Sequence, residues 1–341
     1  MIPIFQPQIH EQQSLQNRSS LQHKPDWFKI KPASNNYFDV KQIIKQNKLV
    51  TVCEESMCPN ISECWSGGTA TFMVLGDTCT RGCRFCNVKT GAKGKEVDKD
   101  EPKKIANVVY EWNERDKKLN ELNGIKSGNN NGLNYIVITS VDRDDLEDQG
   151  SNHFAEVIKE VKKQNPGILV EVLIPDFRGN IELLRNIIEA KPDVIAHNVE
   201  TVRDLQRKVR DVRANFDQSL SILRGIKLIC DEMNCGLDIN DADYHKILTK
   251  TSIMLGLGET DEQVESALNE IRKSDVDVIT FGQYLKPSSW HLDVIEYVHP
   301  SKFDLFKTKA LEKGFLYCAS GPLVRSSYKA GEFYMKSLLR G

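Results

Sequence analysis

The sequence has no run approaching the ~18 consecutive apolar residues that a transmembrane helix needs, and its N-terminus lacks the apolar core of a secretory signal. Charge of one sign is also missing. With 46 basic and 48 acidic residues the formal net charge is -2, which leaves no electrostatic footprint for nucleic acid or for an anionic membrane surface. No internal repeat is evident beyond an alternation of apolar runs with helical patterns. These absences lead to the expectation of a soluble, intracellular protein that binds neither nucleic acid nor membrane. Residues 1–24 carry one acid, Glu11, and one arginine, Arg18, among many Gln and Ser. They read equally as a disordered tail or as an organellar transit segment.

What the sequence does have is cysteine, nine residues of it, in an uneven distribution. Cys53, Cys58, Cys64, Cys79, Cys83 and Cys86 fall in one short window, whereas Cys230, Cys235 and Cys318 are scattered. In a reducing compartment disulfides are disfavoured, so such a window points to metal ligation. The scattered three read as small buried hydrophobes.

The 341 residues suffice for one large domain or two ordinary ones. From residue 69 onward, Val- and Ile-rich runs at 69–76, 134–141, 168–175, 193–200, 251–258 and 277–285 alternate with amphipathic segments near 103–120, 151–164, 180–190, 217–231 and 261–273. Near-continuous apolar strands are buried on both faces, and strict alternation with helices implies parallel pairing with right-handed crossovers. The fold class expected is α/β, a partial six-unit (β/α) barrel of TIM type, with an open doubly wound sheet as the alternative. Residues 25–68 form an N-terminal extension, 69–298 the barrel core, and 299–341 a C-terminal extension containing a helix and the strand-like "FLYCASG". The stretch 113–132 reads as a helix end followed by a polar surface loop.

Polar residues gather at the C-terminal ends of these strands: Asp77 and Cys79, then Thr139, Ser140 and Asp142, then Asn198 and Glu200, then Gln283. Ligands of parallel α/β folds bind at that edge. The stretch "GDTCTRGCRFCNV" lies there, with cysteines spaced C-x3-C-x2-C. A structural zinc site wants four ligands in two short-spaced pairs, which Cys83/Cys86 and Cys53/Cys58 could supply, leaving Cys64 and Cys79 over. A dithiol redox pair at Cys83 and Cys86 leaves Cys79 unexplained. An iron-sulfur cube needs one external ligand per iron, and three thiolates from one loop leave a fourth iron open to substrate or cofactor. Gly82 lets backbone approach such a cluster. Arg81 and Arg84 either offset its charge or are ordinary loop charges.

With Phe85 before its last cysteine, and after the first strand of the alternation, this loop resembles that of the radical S-adenosylmethionine superfamily. The resemblance implies that Cys79, Cys83 and Cys86 bind a 4Fe-4S cluster whose open iron chelates S-adenosylmethionine, with Phe85 near the adenine. The second triad, Cys53, Cys58 and Cys64 in C-x4-C-x5-C spacing, offers three more thiolates and is again one ligand short. Together with "RSSY" at 325–328, and with "AHNVETV", "FGQYLKPS", "YVHP" and "ASGPLVRSSYKAGE", it resembles the lipoyl synthase family over residues 25–335.

That resemblance implies a second, auxiliary 4Fe-4S cluster on the upstream triad, with Ser326 as its fourth ligand. A hydroxyl holds iron more loosely than a thiolate, which suits an iron that must be released. It also implies a sulfurtransferase that inserts two sulfur atoms, at C6 and C8, into a protein-bound octanoyl-lysine, with the auxiliary cluster as donor. The implied partners are octanoylated carrier domains (2-oxoacid dehydrogenase acyltransferase subunits and the glycine cleavage H protein), an electron donor such as ferredoxin or flavodoxin, and iron-sulfur carrier proteins. The implied location is mitochondrial, with cytoplasm or plastid as alternatives.

No catalytic acid-base group is expected, since the radical arises at the cofactor. Candidate S-adenosylmethionine contacts are Thr139, Ser140, Asp142, Asn198 and Glu200, each of which could instead be a cap or turn residue. Asn198 and Glu200 would share one face of a strand end, with His197 turned away as a structural histidine. Arg203, Arg207, Lys208, Arg210 and Arg213 form a basic stripe at helical spacing, expected to be a solvated face, with carrier docking or an inward contact from Arg213 as alternatives. The rival readings are another radical sulfur-inserting enzyme, such as a tRNA methylthiotransferase, and a non-enzymatic iron-sulfur sensor. The first should carry a basic appendage, which this chain lacks.

Overall fold

The computed structural model describes residues 24–29, 32, 35–66, 71–122, 135–238, 241 and 244–327. The tail expected over 1–24 (Lys24 apart), most of the polar loop expected within 113–132, and Tyr328 of "RSSY" with all that follows it lie outside these residues.

Eight strands form one sheet in chain order: β1 (Val50–Thr51), β2 (Thr71–Val74), β3 (Tyr135–Ser140), β4 (Leu169–Leu173), β5 (Val194–Ala196), β6 (Leu248–Leu255), β7 (Val278–Gln283) and β8 (Tyr317–Gly321). β1 pairs antiparallel with β2, and every later neighbour pairs parallel. The six expected strands are β2 to β7, and the sheet gains one strand from each extension. The segment "FLYCASG" is β8, which runs beside β7 from Tyr317 opposite Val278 to Gly321 opposite Gly282.

The N-terminal extension holds a helix beyond those expected, α1 (Asn35–Gln46). α2 (Glu101–Leu122), α3 (Ser151–Gln164), α4 (Leu184–Glu189), α5 (Phe216–Met233) and α6 (Asp261–Lys273) fall on the five amphipathic segments, and α7 (Pro300–Glu312) is the helix expected in the C-terminal extension. Local chemistry sets their starts. Thr260 and Gln263 close a reciprocal capping box on α6, Asn215 accepts the Gln218 amide ahead of α5, and His299 with Pro300 opens α7. One core of strand and helix side chains, including Phe72, Val172, Ile195, Phe281 and Phe306, fills the space between sheet and helices.

Two strands depart from expectation. β6 starts and ends three residues before the expected 251–258, because Gly256 and Gly258 turn the chain with φ of +97° and +105°. The Glu259 carboxylate accepts the amides of Gly256 and Leu257 there. β5 stops at Ala196 instead of running to 200, and Glu200 has a left-handed backbone with φ of 67°. At the other end of the strands an ion pair is sealed inside: Lys250 donates to both Glu171 oxygens at 2.8 Å, and the Tyr135 hydroxyl donates to the same carboxylate.

Candidate functional site

β2 is followed by a sharp reversal in which Leu75 and Gly76 have φ of 68° and 90°. The strained Leu75 is held on both sides: its amide donates to Glu101, and Arg143 donates to its carbonyl. A two-residue ladder, Thr78–Cys79 beside Lys89–Thr90, then closes the base of the loop that carries Cys83 and Cys86. The backbone sets sulfur positions as well, since the Cys83 sulfur accepts the Asp211 amide at 3.3 Å and the Cys79 sulfur that of Arg81 at 3.4 Å. Burial pushes the thiols of Cys79, Cys83 and Cys86 up to about 12, so thiolate there requires a cation or cluster at hand.

Arg81 does not stand free to offset charge in this loop. It is buried, with Asp176 at 2.7 Å, Asp144 at 2.8 Å and Asp142 at 3.4 Å. Arg84 is exposed. The Gly82 amide donates to Asp211, and Arg213 holds that same carboxylate.

The upstream triad is assembled from two short helices. Thr51 caps Val52–Glu55, which carries Cys53, while Ile61–Ser66 carries Cys64, and Cys58 lies in the turn between. The Cys58 amide donates to the Cys53 carbonyl and the Cys64 amide to that of Asn60, folding the triad on itself. A small cavity of about 20 Å³ sits among Cys53, Cys58, Cys64, Thr71, Arg325 and Ser327. Ser326 is not part of its wall.

A much larger cavity, about 550 Å³, reaches both triads. Cys53 and Cys58 line it on one side and Cys79, Cys83 and Cys86 on another, with Ser326 and Ser327 also in its wall. Among the described residues no three His, Cys, Asp or Glu side chains gather as they would around a single ion.

The five candidate S-adenosylmethionine contacts, Thr139, Ser140, Asp142, Asn198 and Glu200, line this cavity, as does Phe85, whereas Asp77 does not. Ser140 Oγ and Asn198 Oδ1 are buried there without a hydrogen-bond partner in the protein. The Thr139 hydroxyl is engaged, donating to the Leu173 carbonyl of the next strand at 3.1 Å. Burial raises Asp142 to about 6 in spite of Arg81, and it raises Glu200 as well. The Asn198 amide supports the Glu200 carboxylate. Because β5 ends early, these two meet through a turn and not by strand alternation. His197 has both ring nitrogens engaged, by the Ile174 carbonyl and Ser219 Oγ, as expected of a structural histidine, but it lines the same cavity as Asn198 and Glu200 instead of turning away from it.

The basic stripe is not one face. Arg203–Leu205 is a 3-10 turn and only Gln206–Val209 is α-helical, and the arginines separate. Arg203 pairs with Asp217 and Glu270 at the surface, and Arg213 pairs with Asp211 and Asp144, whereas Arg207 and Lys208 are exposed. Arg210 turns inward to the cavity wall, donating to Gln206 Oε1 and Ser219 Oγ. Sequence spacing missed Arg210, Asp176 and Met254 as wall residues. Gln283 does line the cavity, but its side chain braces the loop at Glu296 and Val298.

A half-buried three-thiol loop at the C-terminal edge of a parallel barrel-like sheet, opening on a large cavity with polar residues at the strand ends, marks a radical S-adenosylmethionine enzyme. The sequence profile of the Radical SAM superfamily matches residues 73–271. A crystal structure of a maturase of the FeFe-hydrogenase shares the fold, with a TM-score of 0.50, 12% identity, and coverage of 91% of this chain and 66% of that one. Within the class, the chain belongs to the lipoyl synthase family. It is 51% identical over 327 residues to a lipoyl synthase of Halobacterium salinarum, covering 94% of each chain. It is also 51% identical over 322 residues to a mitochondrial lipoyl synthase of Culex quinquefasciatus, covering 93% of this chain and 76% of the relative. The mitochondrial lipoyl synthase of Danio rerio is 50% identical over 321 residues, covering 92% and 72%.

Proposed function

We propose that this chain inserts sulfur at C6 and C8 of a protein-bound octanoyl-lysine to form lipoyl-lysine. In this reading Cys79, Cys83 and Cys86 hold one 4Fe-4S cluster, and Cys53, Cys58 and Cys64 hold a second that donates the sulfur. One observation carries it: all three cysteines of the loop and two of the upstream triad, Cys53 and Cys58, stand in the wall of a single cavity of about 550 Å³, so a chain bound there meets both sites. Ligands spread around a cavity suit a cube better than they suit a zinc ion.

The cavity also fits S-adenosylmethionine. Buried polar atoms are seldom left without partners, and Ser140 Oγ and Asn198 Oδ1 offer a donor-acceptor and an acceptor to a polar ligand. When bound, the cluster and S-adenosylmethionine supply the radical that unactivated C6 and C8 require, since no protein base could deprotonate them. Phe85 and Met254 offer apolar surface, Asn198 and Glu200 polar contacts, and Arg210 a buried positive charge. A hydroxyl of the 325–327 segment completes the upstream triad. Ser327 is favoured over Ser326, because it lines the small cavity among the three cysteines.

The carriers in this reading are octanoylated acyltransferase subunits of 2-oxoacid dehydrogenases and the glycine cleavage H protein, with ferredoxin or flavodoxin as reductant and iron-sulfur carrier proteins as cluster source. Residues 25–68 act as the auxiliary-cluster extension, 69–298 as the radical core and 299–341 as the segment that closes the auxiliary site. A mitochondrial location is the reading we favour from the Gln- and Ser-rich first 24 residues, although similar relatives include mitochondrial, apicoplast and archaeal proteins. Fractionation of cells producing the full chain tests it.

The reaction is tested by anaerobic reconstitution, iron counting and mass spectrometry of an octanoyl-lysine peptide after turnover. About eight irons per chain and a mass gain of two sulfurs are expected. About four irons, or 5'-deoxyadenosine without sulfur gain, would sink the two-cluster reading.

A further inference from the structure

After β7 the chain does not enter a helix directly but runs as an irregular strap, "YLKPSSWHL" over 284–292, back across the cysteine loop. Two hydrogen bonds fasten the two segments. His291 Nε2 lies 2.9 Å from the Cys86 carbonyl, and the Leu292 amide donates to the Arg84 carbonyl. Apolar packing adds a third link, since Tyr284 and Leu292 belong to the buried cluster against which Phe85 rests.

The strap is itself fixed. The Tyr284 hydroxyl donates to the Leu292 carbonyl at 2.8 Å, which ties its start to its end. Ser288 Oγ lies 2.8 Å from His291 Nδ1. A carbonyl can only accept, so Nε2 must carry the proton, which leaves Nδ1 to accept from the Ser288 hydroxyl. Trp290 covers the imidazole edge-on, with centroids 5.0 Å apart, while remaining 60% exposed itself. His291 is thus buried, with its tautomer and direction set by neighbours and its proton aimed at the backbone of a cysteine ligand.

We propose that His291, oriented by Ser288, is a positioning residue that fixes Phe85 and Cys86 in the geometry that S-adenosylmethionine binding requires. The proposal rests on the assignment of Cys79, Cys83 and Cys86 to a cluster. Its physical basis is that Phe85 and Cys86 are consecutive, and that the strap adds to the few other ties of this turn, the Val88 amide on the Cys86 sulfur and Asn87 Nδ2 on the Glu55 carbonyl. The Cys86 amide makes only a local turn bond to Cys83, and outside the strap the neighbouring Arg84 is tied by its amide to Val209. Releasing the Cys86 carbonyl loosens the Cys86–Asn87 peptide and with it the backbone of the cysteine that follows Phe85, and small misplacements of a binding constellation are costly.

The test compares the parent chain with His291→Ala, His291→Gln and Ser288→Ala after anaerobic reconstitution. Three readouts are taken: KM against kcat for reductive cleavage of S-adenosylmethionine, the change in the electron paramagnetic resonance spectrum of the reduced cluster on adding S-adenosylmethionine, and the rate of iron loss to a chelator. His291→Ala should raise KM about tenfold with a smaller change in kcat, weaken the spectral change and speed iron loss. His291→Gln keeps a donor near the Nε2 position and should recover most of the effect, and Ser288→Ala should show a lesser one. If His291→Ala does not fold, the other two variants still read the bond. A parent-like KM and spectrum in a cluster-loaded His291→Ala, or a Gln variant as defective as Ala, overturns the strap alone. A parent chain that takes up no cluster at this loop overturns the cysteine assignment as well.

Discussion

The side-chain amide of Asn60, in the upstream cysteine triad, donates to the carbonyl of Leu323, 263 residues away and just ahead of Arg325, Ser326 and Ser327. Asn60 is buried, and its own carbonyl accepts the Cys64 amide. One residue therefore links the folding of the triad to the docking of the C-terminal segment. Asn60→Ala leaves the Leu323 carbonyl without that partner, a loss of about 1–3 kcal/mol in a buried setting. Iron content should fall from about eight toward about four per chain, with cleavage of S-adenosylmethionine retained. Iron and 5'-deoxyadenosine assays on the same preparation check this.

The two serines should separate cleanly. Ser327 lines the small cavity among Cys53, Cys58 and Cys64, and Ser326 does not. Ser327→Ala should lose sulfur insertion and labilise the auxiliary iron, while Ser326→Ala should keep most of both. The reverse order would restore Ser326 as the ligand. Single-turnover mass spectrometry of the octanoyl peptide distinguishes them.

Gly282 in β7 tests the seating of the same segment from below. A Cβ there would come within 2.1 Å of the Val324 carbonyl oxygen, backbone that cannot swing aside. Gly282→Ala should displace residues 324–327 from the cavity while the barrel still folds. Auxiliary iron and sulfur insertion fall together, and helical circular dichroism is preserved.

Arg81 is a buried cation among Asp142, Asp144 and Asp176. Removing one partner of a buried charge network strands the others, at about 3–5 kcal/mol. Arg81→Met should lower the unfolding free energy of the apoprotein by that order, seen as a fall in its urea midpoint. A midpoint unchanged within error would mean that the carboxylates re-pair or take up protons.

His197 gives the pH prediction. Burial, and Arg210 next, lower its pKa from 6.5 to about 4. In that window the unfolded chain binds more protons than the folded one, so stability is full above pH 6.5 and declines as pH falls toward 4. Asp142, raised to about 6, has the opposite slope between its ordinary range and 6, so the comparison must be with a variant and not with pH alone. Relative to His197→Gln, the parent apoprotein should lose about 2 kcal/mol between pH 7.5 and 5. Denaturant titrations across that range measure it.

The sequence by itself determined the parts that depend on near neighbours. Strand-helix alternation, the capping box at Thr260 and Gln263, and the spacing of each cysteine triad are local patterns, and the barrel and the three-cysteine loop follow from them. Tertiary structure decided what lies between those parts. Arg210 turns inward while Arg203 pairs with carboxylates at the surface and Arg213 with the largely buried Asp144 and Asp211, although all three share one sequence pattern. Ser327 and not Ser326 lines the small cavity among the three upstream cysteines, Asn60 reaches Leu323, and His291 reaches Cys86 across 205 residues. The physical reason is that periodicity encodes which face of an element is buried, whereas a hydrogen bond between distant segments depends on where the whole sheet brings their backbones.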